Sequence, residues 1–135
     1  MSEKLLWKYL KAGMGSKWHW QRHEDKAANG IPDVSYGAEK VCGWIELKYL
    51  KKMPKIVRLA NLTQQQKFWL MERGAFGGHT FILLRIANSY YLFSYKAAET
   101  LRIGIGAEYL ETVAMHYWHG NINFEELYTC LTQKI

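Results

Sequence analysis

Cysteine and proline are both scarce in this chain, which contains two of each among its 135 residues. Cys42 and Cys130 are far apart and match no metal-ligand spacing, so the sequence indicates no cysteine-based metal site. We interpret them as reduced thiols that pack as small apolar groups. This use of cysteine predicts a cytoplasmic protein.

Long apolar runs and low-complexity segments are also missing. No window approaches the roughly 20 apolar residues of a membrane-spanning helix, and residues 1–15 lack the continuous apolar core of a signal peptide. No internal repeat or Pro/Ser-rich linker divides the chain. We therefore expect one soluble domain with no membrane partner.

The composition is that of a globular protein, with 49% hydrophobic and 22% charged residues. A chain of this size buries about two thirds of its unfolded surface, which is enough for a real core. Its formal net charge of +6 favours a polyanionic partner such as nucleic acid. That charge bears on association and says nothing about the fold.

Two carboxylates and one amine occur close together in the first half of the chain. Asp33 follows Pro32, and Glu46-Leu47-Lys48 comes after a short apolar gap. In a strand Glu46 and Lys48 would point to the same face, because side chains alternate. A hairpin between the two segments would bring Asp33 beside Glu46. The pattern thus predicts that Asp33, Glu46 and Lys48 converge at one edge of a sheet.

These residue types suit a hard divalent cation. Mg²⁺ or Mn²⁺ prefers oxygen ligands and is held by one or two carboxylates together with phosphate oxygens of a substrate. Asp33 and Glu46 are the predicted ligands. The ion would polarise a phosphodiester and activate a water molecule, and Lys48 would orient that water or offset charge on the phosphate.

Each motif also has a purely structural interpretation. A Glu-x-Lys pair in a strand is commonly a solvated face, and Pro-Asp is commonly a turn. Trp44, Ile45 and Leu47 favour a largely buried strand instead, where charges need a partner or a metal. A structural ion pair with Lys48, in a partner-binding protein, is one alternative.

The pattern resembles the PD-(D/E)XK nuclease superfamily, through Pro32-Asp33 and Glu46-Leu47-Lys48. The order of segments is similar to small phage-type nucleases of the Holliday-junction-resolvase and VRR-NUC kind. Glu3 in a first helix, the stretch 18–24 and the stretch 62–70 also match that order. The resemblance covers residues 1–95, which we predict to be the nuclease core.

The resemblance implies an α/β fold, with a small central mixed sheet of four or five strands flanked by helices, as in restriction endonucleases. It implies an endonuclease dependent on Mg²⁺ or Mn²⁺ that cuts branched or distorted DNA, usually as a homodimer, and a phage or similar mobile element as its source. A nicking, flap-processing or restriction-like nuclease is one alternative. A non-catalytic nucleic-acid-binding module is another.

The resemblance gives roles to Glu3 and Gln66, and the alternation of residues 17–24 adds Glu24. Glu3, on the inward side of the first helix, would complete the metal site, and Glu24 at the end of the predicted strand 17–24 is its rival. Gln66 would contact the water or the phosphate from the first turn of a helix. The structural alternatives are a first-turn acid favoured by the helix dipole for Glu3 and a capping box with Thr63 for Gln66.

A basic segment follows the candidate active-site strand and contains Lys51, Lys52, Lys55 and Arg58. Such clusters are commonly solvated surface, but this position favours contacts with the phosphates of a nucleic-acid groove. Arg22 is expected to join them, because it lies on the predicted strand that ends at Glu24.

Residues 96–135 lie outside the resemblance. Helical patterns near residues 96–103 and 106–119, and a third helix that opens at Asn123 with Glu126 three positions later, predict a helical extension. We expect this extension to pack on the same domain as residues 1–95.

Overall fold

The computed structural model describes residues 2–23 and 30–134, which contain both helices and strands. The α-helices are α1 (Glu3–Met14), α2 (Gln64–Gly77), α3 (Ala98–Ile103), α4 (Leu110–Val113) and α5 (Phe124–Thr132). The strands are β1 (His19–Arg22), β2 (Val34–Ala38), β3 (Val41–Leu50), β4 (Ile56–Val57), β5 (Thr80–Ile86), β6 (Ser89–Ser94), β7 (Ile105–Gly106) and β8 (His116–His119). Short 3₁₀ turns precede β1, α3 and α4.

The described residues form a central mixed sheet with the strand order β1-β2-β3-β5-β6-β8. β3 and β5 are parallel and the other neighbours are antiparallel, while β4 and β7 form a separate pair. The predicted α/β architecture is confirmed. The predicted number of strands is wrong, because the sheet has six strands and not four or five.

The connections on either side of β3 determine what lies next to it. β2 and β3 form the expected hairpin, and its two-residue turn places Glu39 and Lys40 at positive φ, as a type I′ turn requires. β3 connects to the parallel strand β5 through α2. α2 therefore runs back along β3, with its first turn over the C-terminal half of that strand.

The sheet separates two hydrophobic cores. Ile45 and Leu47 of β3 belong to a core that includes buried residues of α1 and α5. The other core contains Leu70 of α2 and buried residues of β5, β6 and α3. Because side chains alternate along β3, Glu46 and Lys48 point to the opposite face from Ile45 and Leu47, which is the face that α2 covers.

The C-terminal segment joins the sheet as well as covering it. Residues 106–119, expected as one helix, are helical only as far as Val113, and β8 then pairs with β6. Four residues are too few to separate a period of 2 from a period of 3.6, so the pattern did not reveal this strand. α5 begins at the expected cap Asn123. The Tyr36 hydroxyl donates to the Leu131 carbonyl at 2.6 Å, and burial raises the pKa of Tyr36.

None of the helices in the described ranges has the length and apolar character needed to cross a bilayer. Cys42 and Cys130 are both free thiols, the first exposed and the second buried.

Gly74 is predicted to be required for the packing of α2 over the sheet. A Cβ atom at this buried position would overlap the ring of Tyr95. We expect Gly74→Ala to lower the free energy of unfolding by about 1–2 kcal/mol, because overpacking outweighs the gain in helix propensity. Urea denaturation measures this change.

Gly77→Ala is the matched control, since a Cβ there meets only the flexible Arg73 side chain at 3.3 Å. It should cause no loss of stability. Equal effects of the two substitutions would contradict the proposed packing.

Candidate active site

β3 carries the centre of the candidate site. Trp44, Glu46 and Lys48 alternate along this strand and share the face beneath α2. Glu46 is 1% exposed and Lys48 is 3% exposed, so both charged groups are buried. The solvated-face alternative for this Glu-x-Lys pair is therefore wrong.

Asp33 lies beside Glu46, as the sequence predicted. It directly precedes β2, and continuing the register from the Val34–Ile45 pair places Asp33 opposite Glu46. Its Oδ2 accepts a hydrogen bond from the Leu47 amide at 2.7 Å, and the residue is 2% exposed. The position differs from the expected sheet edge, because β1 and β5 flank β2 and β3 and make both of them interior strands.

Each buried carboxylate contacts a cation. Asp33 Oδ1 lies 3.1 Å from a guanidinium nitrogen of Arg22, and Glu46 Oε2 lies 3.0 Å from Lys48 Nζ. These pairs offset part of the cost of burying the charges. Arg22, which the sequence assigned to nucleic acid, is thus bound to Asp33 here and is 22% exposed.

Lys48 is held by three oxygens. Besides Glu46, its Nζ donates to the Asn61 carbonyl at 3.0 Å and to Gln66 Oε1 at 3.2 Å. Two hydrogen bonds and the ion pair with Glu46 therefore hold the ammonium group. The chain that returns from the basic segment and the first turn of α2 together fix the position of the amine.

Gln66 forms the expected capping box and also lies beside Lys48, while its contact with the water or the phosphate stays a prediction. Its Oε1 accepts from the Thr63 amide at 3.0 Å, and its own amide donates to Thr63 Oγ1 at 3.1 Å, which completes the expected capping box. The same Oε1 contacts Lys48. The cap therefore also places an amide group next to the candidate catalytic amine.

The third acid stays a prediction. Glu3 begins α1 and is half-buried. Trp7 lies one turn further along this helix, and its ring centre is 5.7 Å from the Arg22 guanidinium. Arg22 also pairs with Asp33, so these contacts link α1 to the candidate site. Among the described residues, no cluster of three or more His, Cys, Asp or Glu side chains could hold a metal ion. Glu24 lies outside the described ranges.

The donor set nevertheless fits a hard cation. Two adjacent carboxylates are enough for Mg²⁺ or Mn²⁺, which keep several waters and take the remaining oxygens from a substrate. Asp33 and Glu46 are the residues that would hold it. The cation would offset part of the negative charge that Arg22 and Lys48 offset in this structure.

The basic segment begins where β3 ends. Its four cationic residues are all exposed, and Arg58 Nε donates to the Ile103 carbonyl at 2.8 Å. Because the same stretch continues to Asn61, whose carbonyl binds Lys48, the segment passes directly beside the candidate site. Its role in binding nucleic acid stays a prediction.

A cluster of aromatic and cationic side chains at the other end of the site was not predicted from the sequence, which indicated only that Trp44 lies on a largely buried strand. We call it the Trp44 cluster, and its members are His23, Trp44, Trp69 and Arg73. Two spacings could have revealed it. Trp44 shares the strand face of Glu46, and Trp69 and Arg73 are four residues apart on α2.

The sequence matches no protein-family model and no curated protein. Among solved structures, the chain is similar to Hjc from Archaeoglobus fulgidus, a Holliday junction resolvase from an archaeal hyperthermophile. The two are 17% identical with a TM-score of 0.55, and the match covers 83% of this chain and 86% of Hjc. A likeness at this identity establishes the fold alone. The fold is therefore resolvase-like, as the sequence resemblance implied.

A double-mutant cycle should detect the buried ion pair. Lys48→Met removes a cation from a buried carboxylate, and we expect a loss of about 3 kcal/mol in the free energy of unfolding. Glu46→Gln combined with Lys48→Met should be less damaging than additivity predicts, by about 2 kcal/mol. Urea denaturation of the two single variants and the double variant gives the interaction energy. Strict additivity would show that the pair does not form.

Proposed function

We propose that the protein is a metal-dependent nuclease of the PD-(D/E)XK superfamily that hydrolyses DNA phosphodiester bonds. The observation that supports this most is the convergence of Asp33, Glu46 and Lys48 within a resolvase-like fold. Two adjacent buried carboxylates with an amine beside them contribute little to the stability of the folded protein. The same groups are suited to phosphodiester hydrolysis.

The residues divide the chemistry among them. Asp33 and Glu46 hold the cation, whose chemistry when bound is to polarise the phosphodiester and make an attacking water more acidic. Lys48 supplies a fixed positive charge to the water or to the phosphate in the transition state. Asn61 and Gln66 limit the movement of that amine, which favours a preorganised site. Glu3 is the proposed third acid.

The substrate that we propose is branched or distorted DNA. Support comes from the structural similarity to a Holliday junction resolvase and from the exposed basic segment beside the site. A homodimer would match the two-fold symmetry of a four-way junction, which needs two equivalent cuts. We further propose that the protein acts in the cytoplasm of a bacterium and derives from a phage.

One observation favours a second candidate. Both acids are paired with cations, Asp33 with Arg22 and Glu46 with Lys48. Such pairs would also occur in a nucleic-acid-binding module that keeps the fold without catalysis. The two candidates predict different results. Only the nuclease should cut DNA when a divalent cation is added, and only the nuclease has a cleavage activity that the loss of one carboxylate would remove.

Glu46→Gln should separate cleavage from binding. We expect the wild-type protein with Mg²⁺ or Mn²⁺ to cut DNA and EDTA to stop it. Glu46→Gln should lower the rate at least 100-fold, because one metal ligand is lost, while DNA affinity stays within about threefold. Gel assays of end-labelled DNA measure cleavage, and fluorescence anisotropy measures affinity.

Glu111→Gln provides the control, since this exposed glutamate on α4 pairs with His119 far from the site in sequence. It should cut at the wild-type rate. DNA binding without cutting by any form would favour the non-catalytic module, and cutting that survives both EDTA and Glu46→Gln would refute the metal mechanism.

A panel of labelled DNAs should identify the substrate. We expect four-way junctions to be cut faster than flaps, nicked duplex or linear duplex of the same sequence, by at least tenfold. Paired symmetric cuts, together with a dimeric mass in light scattering, would support the resolvase-like assembly. Faster cutting of flaps or linear duplex would select the alternative nuclease classes.

A further inference from the structure

The Trp44 cluster holds an exposed arginine in a defined position. The Arg73 guanidinium carbon lies 4.7 Å from the ring centre of Trp69 and 5.4 Å from that of Trp44. Both distances are within the range of cation–π contacts. Within the part of the chain that the structure describes, no carboxylate forms an ion pair with Arg73.

The rings beneath Arg73 are themselves fixed. Trp44 contacts the edge of Trp69 at 4.8 Å and stacks with His23 at 5.1 Å, and His23 Nε2 lies 2.8 Å from Ser35 Oγ. The cluster thus joins β2, β3 and α2 to the residue that follows β1. An arginine stacked on such a support has lost much of its rotamer freedom before any ligand arrives, which favours binding.

Arg73 lies on the opposite side of the acids from the basic segment. Trp44 precedes Glu46 by two residues on the same face of β3, a distance of about 6.6 Å along the strand. Lys48 follows Glu46 by the same interval, and the basic segment begins just after β3 ends. Exposed cations therefore flank the carboxylates along both directions of the strand.

A guanidinium group is suited to a phosphate. It is planar and permanently charged, and it can donate two parallel N–H bonds to an oxyanion while its face stays on an aromatic ring. Lysine offers a point charge without the planar face. An arginine stacked on two tryptophans can therefore make contacts with a phosphate that a lysine in the same position could not make.

We propose that Arg73 binds a backbone phosphate of a DNA strand on the Trp44 side of the carboxylates. The inference rests on the proposed function, because it takes the ligand to be the same strand whose phosphodiester reaches Asp33 and Glu46. Arg73 and the basic segment then bind that strand on the two sides of the reacting phosphate.

The test measures the salt dependence of DNA binding with EDTA present, so that no DNA is cut. Affinities of the 135-residue protein for a labelled duplex and a four-way junction are determined by anisotropy over a series of KCl concentrations. Arg73→Ala should weaken binding about tenfold and reduce the slope of log K against log salt by about 0.9, the value for one phosphate contact. Arg73→Lys should retain the slope and bind with intermediate affinity.

Lys8→Ala is the control, because it removes one exposed cation from α1, on the opposite face of the sheet. Its slope should equal that of wild type. A purely structural role for Arg73 would lower the melting temperature of Arg73→Ala and leave the slope unchanged. That result would overturn the inference, as would an equal fall of the slope in Lys8→Ala.

The two proposals fail in different ways. If wild type binds and cuts DNA but Arg73→Ala keeps the wild-type slope, the phosphate contact is refuted and the nuclease stands. If wild type neither binds nor cuts any DNA of the panel, the proposed function is refuted, and the inference with it.

Discussion

The hydrogen bond from the Leu47 amide to Asp33 Oδ2 is the contact on which the candidate site depends. Asp33 directly precedes β2, where its carbonyl accepts from the His23 amide at 2.8 Å, and the bond from Leu47 adds a contact between its side chain and β3. It keeps one carboxylate against the peptide that joins Glu46 to Leu47. Because β3 is an interior strand covered by α2, the two acids are buried together, and Arg22 and Lys48 offset their charges.

Local spacing predicted the parts of this arrangement that depend on neighbours in the chain. The alternation of residues 44–48 placed Glu46 and Lys48 on one face, and the hairpin brought Asp33 beside them, because both follow from backbone geometry. The Thr63–Gln66 capping box was equally readable, since its hydrogen bonds span three residues. The fold class was predicted from the resemblance to the PD-(D/E)XK nuclease superfamily, and that resemblance rests on these same residues.

Contacts between distant segments could not be predicted in this way. Nothing near Arg22 in the sequence indicates Asp33 as its partner, and the spacing of Trp69 and Arg73 on α2 does not indicate that Trp44 packs against them. The sixth strand was missed for a related reason, because β8 gains its hydrogen bonds from β6, almost thirty residues earlier, and has too few residues for a clear period. Tertiary pairing decided the structure of a segment whose own pattern was ambiguous.

Stability alone does not account for the composition of the buried face of β3. A buried ion pair stabilises a protein no better than apolar residues of similar volume, and often less well, so aliphatic side chains at positions 46 and 48 would serve packing at least equally. The opposite face of the same strand does carry Ile45 and Leu47. Folding alone therefore does not explain these charges, whereas a role in the candidate site does. The oxygens around Lys48 are consistent with such a role. Because Asn61 and Gln66 hold the amine independently of Glu46, Lys48 would keep its position if Glu46 were to bind a cation instead.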